Sequence, residues 1–335
     1  MAYQNVGTPR FYVNIIEWLT SNDVNAINLI NGATWNSSVW NTLPVNPADY
    51  HSNIIEDGDP PDLSFPTNVL TPYSFLAILG HDLRTNNPEY SMYIQSEGLN
   101  IDTQNVVNSF SIGQQQGTIY NGFSIGTFNG IDMVNLHILA TGKVGSMIIG
   151  TYYDMPNAPN LSLTINREYG GTKEFTTHNG STMSNTMWSK PSMWGNLGAW
   201  ELDDGNPTLS RLAKSGRRSW DLEFSYMDDG DLWGSNQSIT NEVGGTLSQS
   251  EMDLYDDGDL YSNTTFQHTL LSNDNFFSQV WHKTLGGTLP FIFQPDSNNN
   301  NPDQFAICKF KNNSLKATQS AFNVYDISLS IEEVW

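Results

Sequence analysis

Two acidic runs share one pattern: Asp228-Asp229-Gly230-Asp231-Leu232 and Asp256-Asp257-Gly258-Asp259-Leu260. Carboxylate oxygens are what a hard cation such as calcium prefers. That makes Asp228, Asp229, Asp231, Asp256, Asp257 and Asp259 the metal candidates of this chain. Neither run fits the EF-hand loop, which needs oxygen ligands at alternating positions, then Gly at the sixth and Glu at the twelfth. The other reading is structural, because Asp-Gly is a strong turn dipeptide and both runs then form acidic surface turns. Glu168, Asp221, Glu223, Glu332 and Glu333 could supply the paired carboxylates of a glycoside hydrolase. An acidic chain scatters such groups widely, and none of them stands out. Of the six histidines, His81 and His178 sit in turn-like contexts and His137 in an alternating strand.

Cys308 is the single cysteine. It cannot form an internal disulfide, no Cys/His cluster has zinc spacing, and no basic context activates its thiol. It reads as a small core residue. The chain has no Gly-x-Ser-x-Gly elbow, no phosphate-binding loop and no dinucleotide fingerprint. The expectation is therefore no catalytic residue, no cofactor and no enzyme.

Charge narrows the partners. The chain has 14 basic and 35 acidic residues, a net charge of -21. Such a surface repels phosphate backbones and anionic membranes, which argues against specific nucleic-acid binding and against membrane adsorption. The acidity either confers solubility or, with many copies around a conduit, lets DNA slide through without sticking. No stretch approaches the roughly 20 apolar residues of a membrane helix. The opening Met1-Ala2-Tyr3-Gln4-Asn5 lacks the basic start and apolar core of a signal peptide, so synthesis in the cytosol is expected.

These residues must be positioned by short strands. Ten Trp, fourteen Tyr and sixteen Phe provide enough aromatic mass for real cores, while only 15% of residues are charged. Phe11-Tyr12-Val13-Asn14-Ile15-Ile16-Glu17-Trp18-Leu19 is either a strand or a short amphipathic helix. Pro44, Pro47, Pro60, Pro61, Pro66 and Pro72 keep residues 21–72 turn-rich. Residues 1–72 therefore read as an N-terminal arm and turn-rich segment. Regular strands follow at Ser74–Leu79, Tyr90–Ile94, Gly122–Phe128, Val134–Leu139 and Val144–Gly150. They make 73–156 a jelly-roll-like sandwich.

Residues 157–335 read as a second β unit with an acidic insertion at 228–262. Its first strand is Leu161–Ile165. Met187-Trp188, Met193-Trp194 and Ala199-Trp200 form an aromatic segment that is either a closing loop or a contact surface. In Trp220, Leu222, Phe224 and Tyr226 the spacing of two puts four apolar side chains on one face. Residues 272–283 are the best helix candidate, capped by Ser272 or Asn273, with Phe276, Phe277, Val280 and Trp281 on one stripe. Phe291–Phe293, Phe305–Phe310 and Tyr325–Trp335 alternate as antiparallel strands do when one face is buried. In the last of these, one of Glu332 and Glu333 faces out and the other inward or toward a partner. The fold class expected is mainly β: two antiparallel β-sandwich-like domains with one short helix in the C-terminal domain.

From Ser219 to Trp335 the chain resembles the minor tail protein M family of long-tailed bacteriophages. Carrying this are Trp220–Tyr226, the helix near 273–283, Gly286–Phe293, Phe305–Phe310 and the closing Tyr325–Trp335. More weakly, Phe75–Leu83 with the strands of 124–150 resembles a galactose-binding-like jelly roll, without an identifiable sugar pocket. The resemblance implies a virion structural protein of the tail tip, distal tail or baseplate, made in the host cytoplasm. Other tail proteins and a homo-oligomeric ring, trimer or hexamer, are the partners it implies. A cell-surface glycan is a further candidate partner. Trp188, Trp194, Trp200, Val334 and Trp335 are the assembly-interface candidates. The competing readings are a carbohydrate-binding adhesin and, behind it, a glycoside hydrolase.

Overall fold

A computed structural model of the protein describes residues 7–22, 28–30, 62–64, 70–79, 92–97, 110–112, 123–128, 130, 135–139, 146–161, 164–168, 172–186, 193–194, 197–198, 217–233, 274–300 and 304–334. The chain is mainly β, with a large antiparallel sheet and few short helices. The strands are β1 (Arg10–Asn14), β2 (Asn28–Ile30), β3 (Asp62–Ser64), β4 (Ser74–Leu79), β5 (Met92–Glu97), β6 (Phe110–Ile112) and β7 (Phe123–Phe128). Next come β8 (Asn135–Leu139), β9 (Ser146–Asp154), β10 (Thr164–Glu168), β11 (Thr172–Thr176), β12 (Thr182–Thr186), β13 (Met193–Trp194) and β14 (Leu197–Gly198). The last five are β15 (Arg217–Asp228), β16 (Phe291–Gln294), β17 (Ala306–Phe310), β18 (Ala317–Ala321) and β19 (Val324–Glu333).

Ten strands form one antiparallel sheet in the order β10–β15–β19–β17–β16–β1–β9–β4–β7, with β18 also paired to β19. Here β1 comes from residues 1–72, and β4, β7 and β9 come from 73–156. The other six come from 157–335, so hydrogen bonds cross both expected boundaries. A second sheet orders β2–β3–β8–β5–β6, and β11–β12 and β13–β14 are separate hairpins.

The segment 11–19 is both of the things its pattern allows. Phe11, Tyr12 and Val13 are all buried, which suits a central strand covered on both faces. Helix α1 (Ile15–Asn22) follows without a linker. Asn14 makes the switch: its Oδ1 accepts the Glu17 N–H at 3.2 Å and its Nδ2 donates to Glu17 Oε2 at 3.3 Å. This is N-capping by Asn14, which satisfies one donor that the first helical turn leaves open, with a side-chain contact back from Glu17. Gly150 lies opposite Asn14. A β-carbon there would collide with the Val13 carbonyl, so β1 and β9 can approach only because the residue is Gly.

Cross-strand register fixes the inner face. Phe11 pairs with Phe293 and Val13 with Phe291; Phe291 pairs with Cys308, and Phe310 with Ile331. Ile331, Leu329 and Ile327 then face Trp220, Leu222 and Phe224. Paired residues share a face, so one apolar layer runs across β15, β19, β17, β16 and β1. Its rings interlock: Phe11 lies 5.2–6.0 Å from Phe293, Phe291, Phe276 and Phe310. In β19, burial alternates residue by residue, as expected for the closing strand.

Three elements depart from expectation. Tyr226 does not join Trp220, Leu222 and Phe224 in the core; it is 80% exposed. A β-bulge between Phe224 and Met227 shifts the register, Tyr226 turns left-handed (φ 62°), and Met227 takes the inward place. The strand expected at Leu161–Ile165 starts at Thr164, and Leu161 is exposed in the turn before it. The segment 229–233, placed in an acidic loop, forms the short helix α2 (Asp229–Leu232), whose Leu232 is buried in the core. The rest of that insertion lies outside the described residues.

Candidate functional site

The covering helix over the apolar layer is a π-helical turn, Phe277–His282. Its expected caps, Ser272 and Asn273, lie outside the described residues. Asn275 takes that role, its Oδ1 accepting the Ser278 N–H at 2.8 Å. Phe276 and Val280 are buried as expected, but Phe277 and Trp281 are only half-buried and lean on Trp233 and Phe310. The inward stripe is Phe276, Gln279, Val280 and Lys283, the i, i+3, i+4, i+7 set. Two of its four members are polar.

Lys283 is 1% exposed. Its Nζ donates to Gln279 Oε1 at 2.6 Å and to Thr151 Oγ1 of β9 at 3.4 Å. Among the described residues no carboxylate pairs with it. Burial brings its pKa down to about 7, against a smaller opposing pull from Asp274. Burial also raises the Asp274 carboxyl, with Lys283 pulling it back. His282 is lowered by burial and then by Lys283.

A second buried cation is fully matched. Arg218 Nη2 meets Glu333 Oε1 at 3.0 Å and its Nε meets Oε2 at 3.2 Å. The Arg218 backbone N–H donates to the same Oε2 at 2.9 Å, and Nη2 also reaches the Phe305 carbonyl at 2.8 Å. Glu333 is thus the inward carboxylate of the Glu332-Glu333 pair, and its partner is within its own chain. Sequence reasoning missed Arg218; its place two residues before Trp220 is the signal that could have put it on the inward face.

The metal candidates divide. Asp256, Asp257 and Asp259 lie outside the described residues. Asp228 ends β15, Asp229 is buried in α2, and the Asp231 backbone carbonyl accepts the Tyr153 hydroxyl at 3.0 Å. Burial raises the Asp231 carboxyl, and Asp228 and Asp274 add to this. Among the described residues, no three His, Cys, Asp or Glu side chains are grouped to hold a metal. Cys308 is buried, and burial pushes its thiol well up, so it stays protonated.

Of the interface candidates, Val334 is half-buried against its own core, with its N–H donating to the Ile307 carbonyl at 2.8 Å. Trp194 pairs with Leu197 in the β13–β14 hairpin. Trp188, Trp200 and Trp335 lie outside the described residues. Exposed large apolar groups lie elsewhere, on Tyr226, Phe322 and Leu161, and on Phe175 and Met183, which face each other across β11–β12. Among the described residues, no helix is long and apolar enough to cross a membrane. No family model, curated protein or solved structure matches this chain.

Proposed function

We propose that this protein is a non-enzymatic structural subunit of a phage tail, at the tail tip, distal tail or baseplate, that assembles as a ring. It acts in tail assembly and in host attachment or DNA passage. One observation carries this proposal: the order strand, helical cover, strand, strand, final strand in the C-terminal region. Here it is β15, the π-helical turn, β16, β17 and β19, with β19 inserted between β15 and β17. This is the order on which the resemblance to minor tail protein M rests. The acidic composition and the exposed apolar pair Phe175 and Met183 also support a subunit that meets neighbours. Light scattering across a concentration series tests it: a discrete trimer or hexamer is expected, weakened by Trp194→Ala. A strict monomer at every concentration, alone and with other tail proteins, overturns it.

An adhesin is the second reading, favoured by Tyr226 and Phe322, which are exposed, and by Asp326, whose Oδ1 accepts the Tyr226 N–H at 3.3 Å. An exposed ring beside a carboxylate suits stacking and hydroxyl recognition on a neutral sugar. Glycan-array binding that is lost in Tyr226→Ala would favour it.

A further inference from the structure

The cover segment 274–289 combines features that a purely static lid does not need. Its π-helical turn is a rare form that recurs at functional sites. Ser278 Oγ is buried there without a hydrogen-bond partner among the described residues. Lys283 is a fully buried amine whose partners among the described residues are a neutral amide and a hydroxyl. Three consecutive left-handed residues follow, Leu285, Gly286 and Gly287. Gly287 also presses on Phe310, where a β-carbon would come within 2.7 Å of the ring's own β-carbon. A bistable arrangement is where such strain collects.

We propose that Lys283 is a proton-driven latch: proton uptake by its buried amine releases the 274–289 cover from the sheet. The inference goes beyond the proposed function and holds whatever the particle. The closed cover seats the amine against Thr151 of β9, where a charge meets no counter-ion among the described residues. Once the cover lifts, the amine reaches water, which solvates the charge. The two states therefore differ in proton affinity, and proton concentration biases the balance between them.

The groups around Lys283 leave this logic intact. On its own segment, Asp274 is exposed at the start of the cover, its carboxyl raised by desolvation and drawn back by Lys283, and His282 titrates below its usual value. On β9, burial keeps the Tyr153 phenol neutral, and Asp154 is held by Arg10, Nη2 to Oδ2 at 2.7 Å. In α2, Asp231 lies near Asp274. On α1, Trp18 stacks edge-on to His282, and Glu17 titrates at about 7. Between about 7 and 10.5 the lifted cover holds a proton on Lys283 that the closed cover lacks. Opening therefore becomes more favourable as pH falls through that window, by at most about tenfold per pH unit for one proton. Below about 7 both states are charged and the bias is constant. Glu17 takes up its proton below this window.

Hydrogen exchange read by mass spectrometry on the intact chain tests this. Exchange of 276–289 is compared at pH 7 and pH 9 after correction for the intrinsic chemical rate. The expected result is faster opening at pH 7, by roughly tenfold or more, with β19 unchanged. Lys283→Met should abolish the difference and slow exchange at pH 7. Gln279→Glu places a carboxylate where Oε1 stands, 2.6 Å from Nζ, and should also abolish it by supplying the missing counter-charge. If Gln279→Glu folds and keeps the full pH dependence, or if the wild-type cover opens equally at both pH values, the latch is wrong.

Discussion

Arg218 and Lys283 are both cations inside the same protein, and they are solved differently. Arg218 meets a carboxylate through two nitrogens and a carbonyl besides, and the pair ties β15 to β19. Among the described residues, Lys283 meets the Gln279 amide and the Thr151 hydroxyl and no carboxylate. A planar guanidinium can be matched donor by donor, whereas a compact ammonium without a counter-ion lowers its affinity for the proton instead. The difference separates a charge that specifies the fold from one that is tolerated by it. Glu333 can point inward in only one register of the closing strand, because a one-residue slip would turn it to the other face. Lys283 offers no such constraint on register, and its burial costs stability.

Breaking the matched pair should have the largest effect. Glu333→Ala strands Arg218 in the interior and is expected to destabilise by roughly 3–5 kcal/mol in urea unfolding. Arg218→Met combined with Glu333→Leu should recover most of that loss, because no charge is left behind. A double variant as unstable as Glu333→Ala alone would mean that packing, not charge, explains the loss.

Removing the unmatched cation should act in the opposite direction. Lys283→Met is expected to add about 1–2 kcal/mol at pH 7. In the wild type, the unfolded chain carries a proton on Lys283 between about 7 and 10.5 that the folded chain lacks, so stability rises with pH there. Glu17, raised to about 7 by burial, does the reverse. Between 4.5 and 7 the folded chain holds the extra proton, so its contribution falls as pH rises. The two together give a stability minimum near pH 7. Lys283→Met should flatten the alkaline limb and Glu17→Gln the acid limb, each read from urea midpoints across pH.

The smallest expected change tests a strained residue outside the core. Tyr226→Gly relieves a left-handed backbone that costs about 1–2 kcal/mol for a side chain with a β-carbon. With the entropic cost of Gly in a strand subtracted, about 0.5–1 kcal/mol of gain remains in thermal unfolding. A loss would show that the Tyr226 ring stabilises the bulge through contacts of its own.

The strands of the large sheet were legible because one-sided burial writes itself as period-two alternation. Trp220, Leu222 and Phe224 and the closing Val324–Glu333 show it, whereas the Phe291–Phe293 run is continuous because β16 is buried on both faces. Tyr226 broke the pattern because a bulge adds a residue without changing composition, so the alternation continues in sequence after it has failed in space. The cover was legible as a helix but not in its orientation. The apolar pairs Phe276-Phe277 and Val280-Trp281 outweighed Gln279 and Lys283, although the i, i+3, i+4, i+7 spacing from Phe276 leads directly to both. The pairing of β1 with β9 and β16 left no local mark at all, since hydrogen-bonded partners so far apart share no sequence window.

That pairing also dictates when the protein can be finished. Tyr12 hydrogen-bonds Gln294 across 282 positions, and Arg10 reaches Asp154 across 144. On a ribosome, the Phe11-Tyr12-Val13 strand emerges before either neighbour and then waits for both, with Gln294 of the second following Tyr12 by 282 positions. Until β16 and β17 are out of the tunnel, the middle of the sheet is an open apolar edge, the kind of surface that recruits chaperones or other chains. Completion of this fold therefore waits for β16, long after β1 has been made.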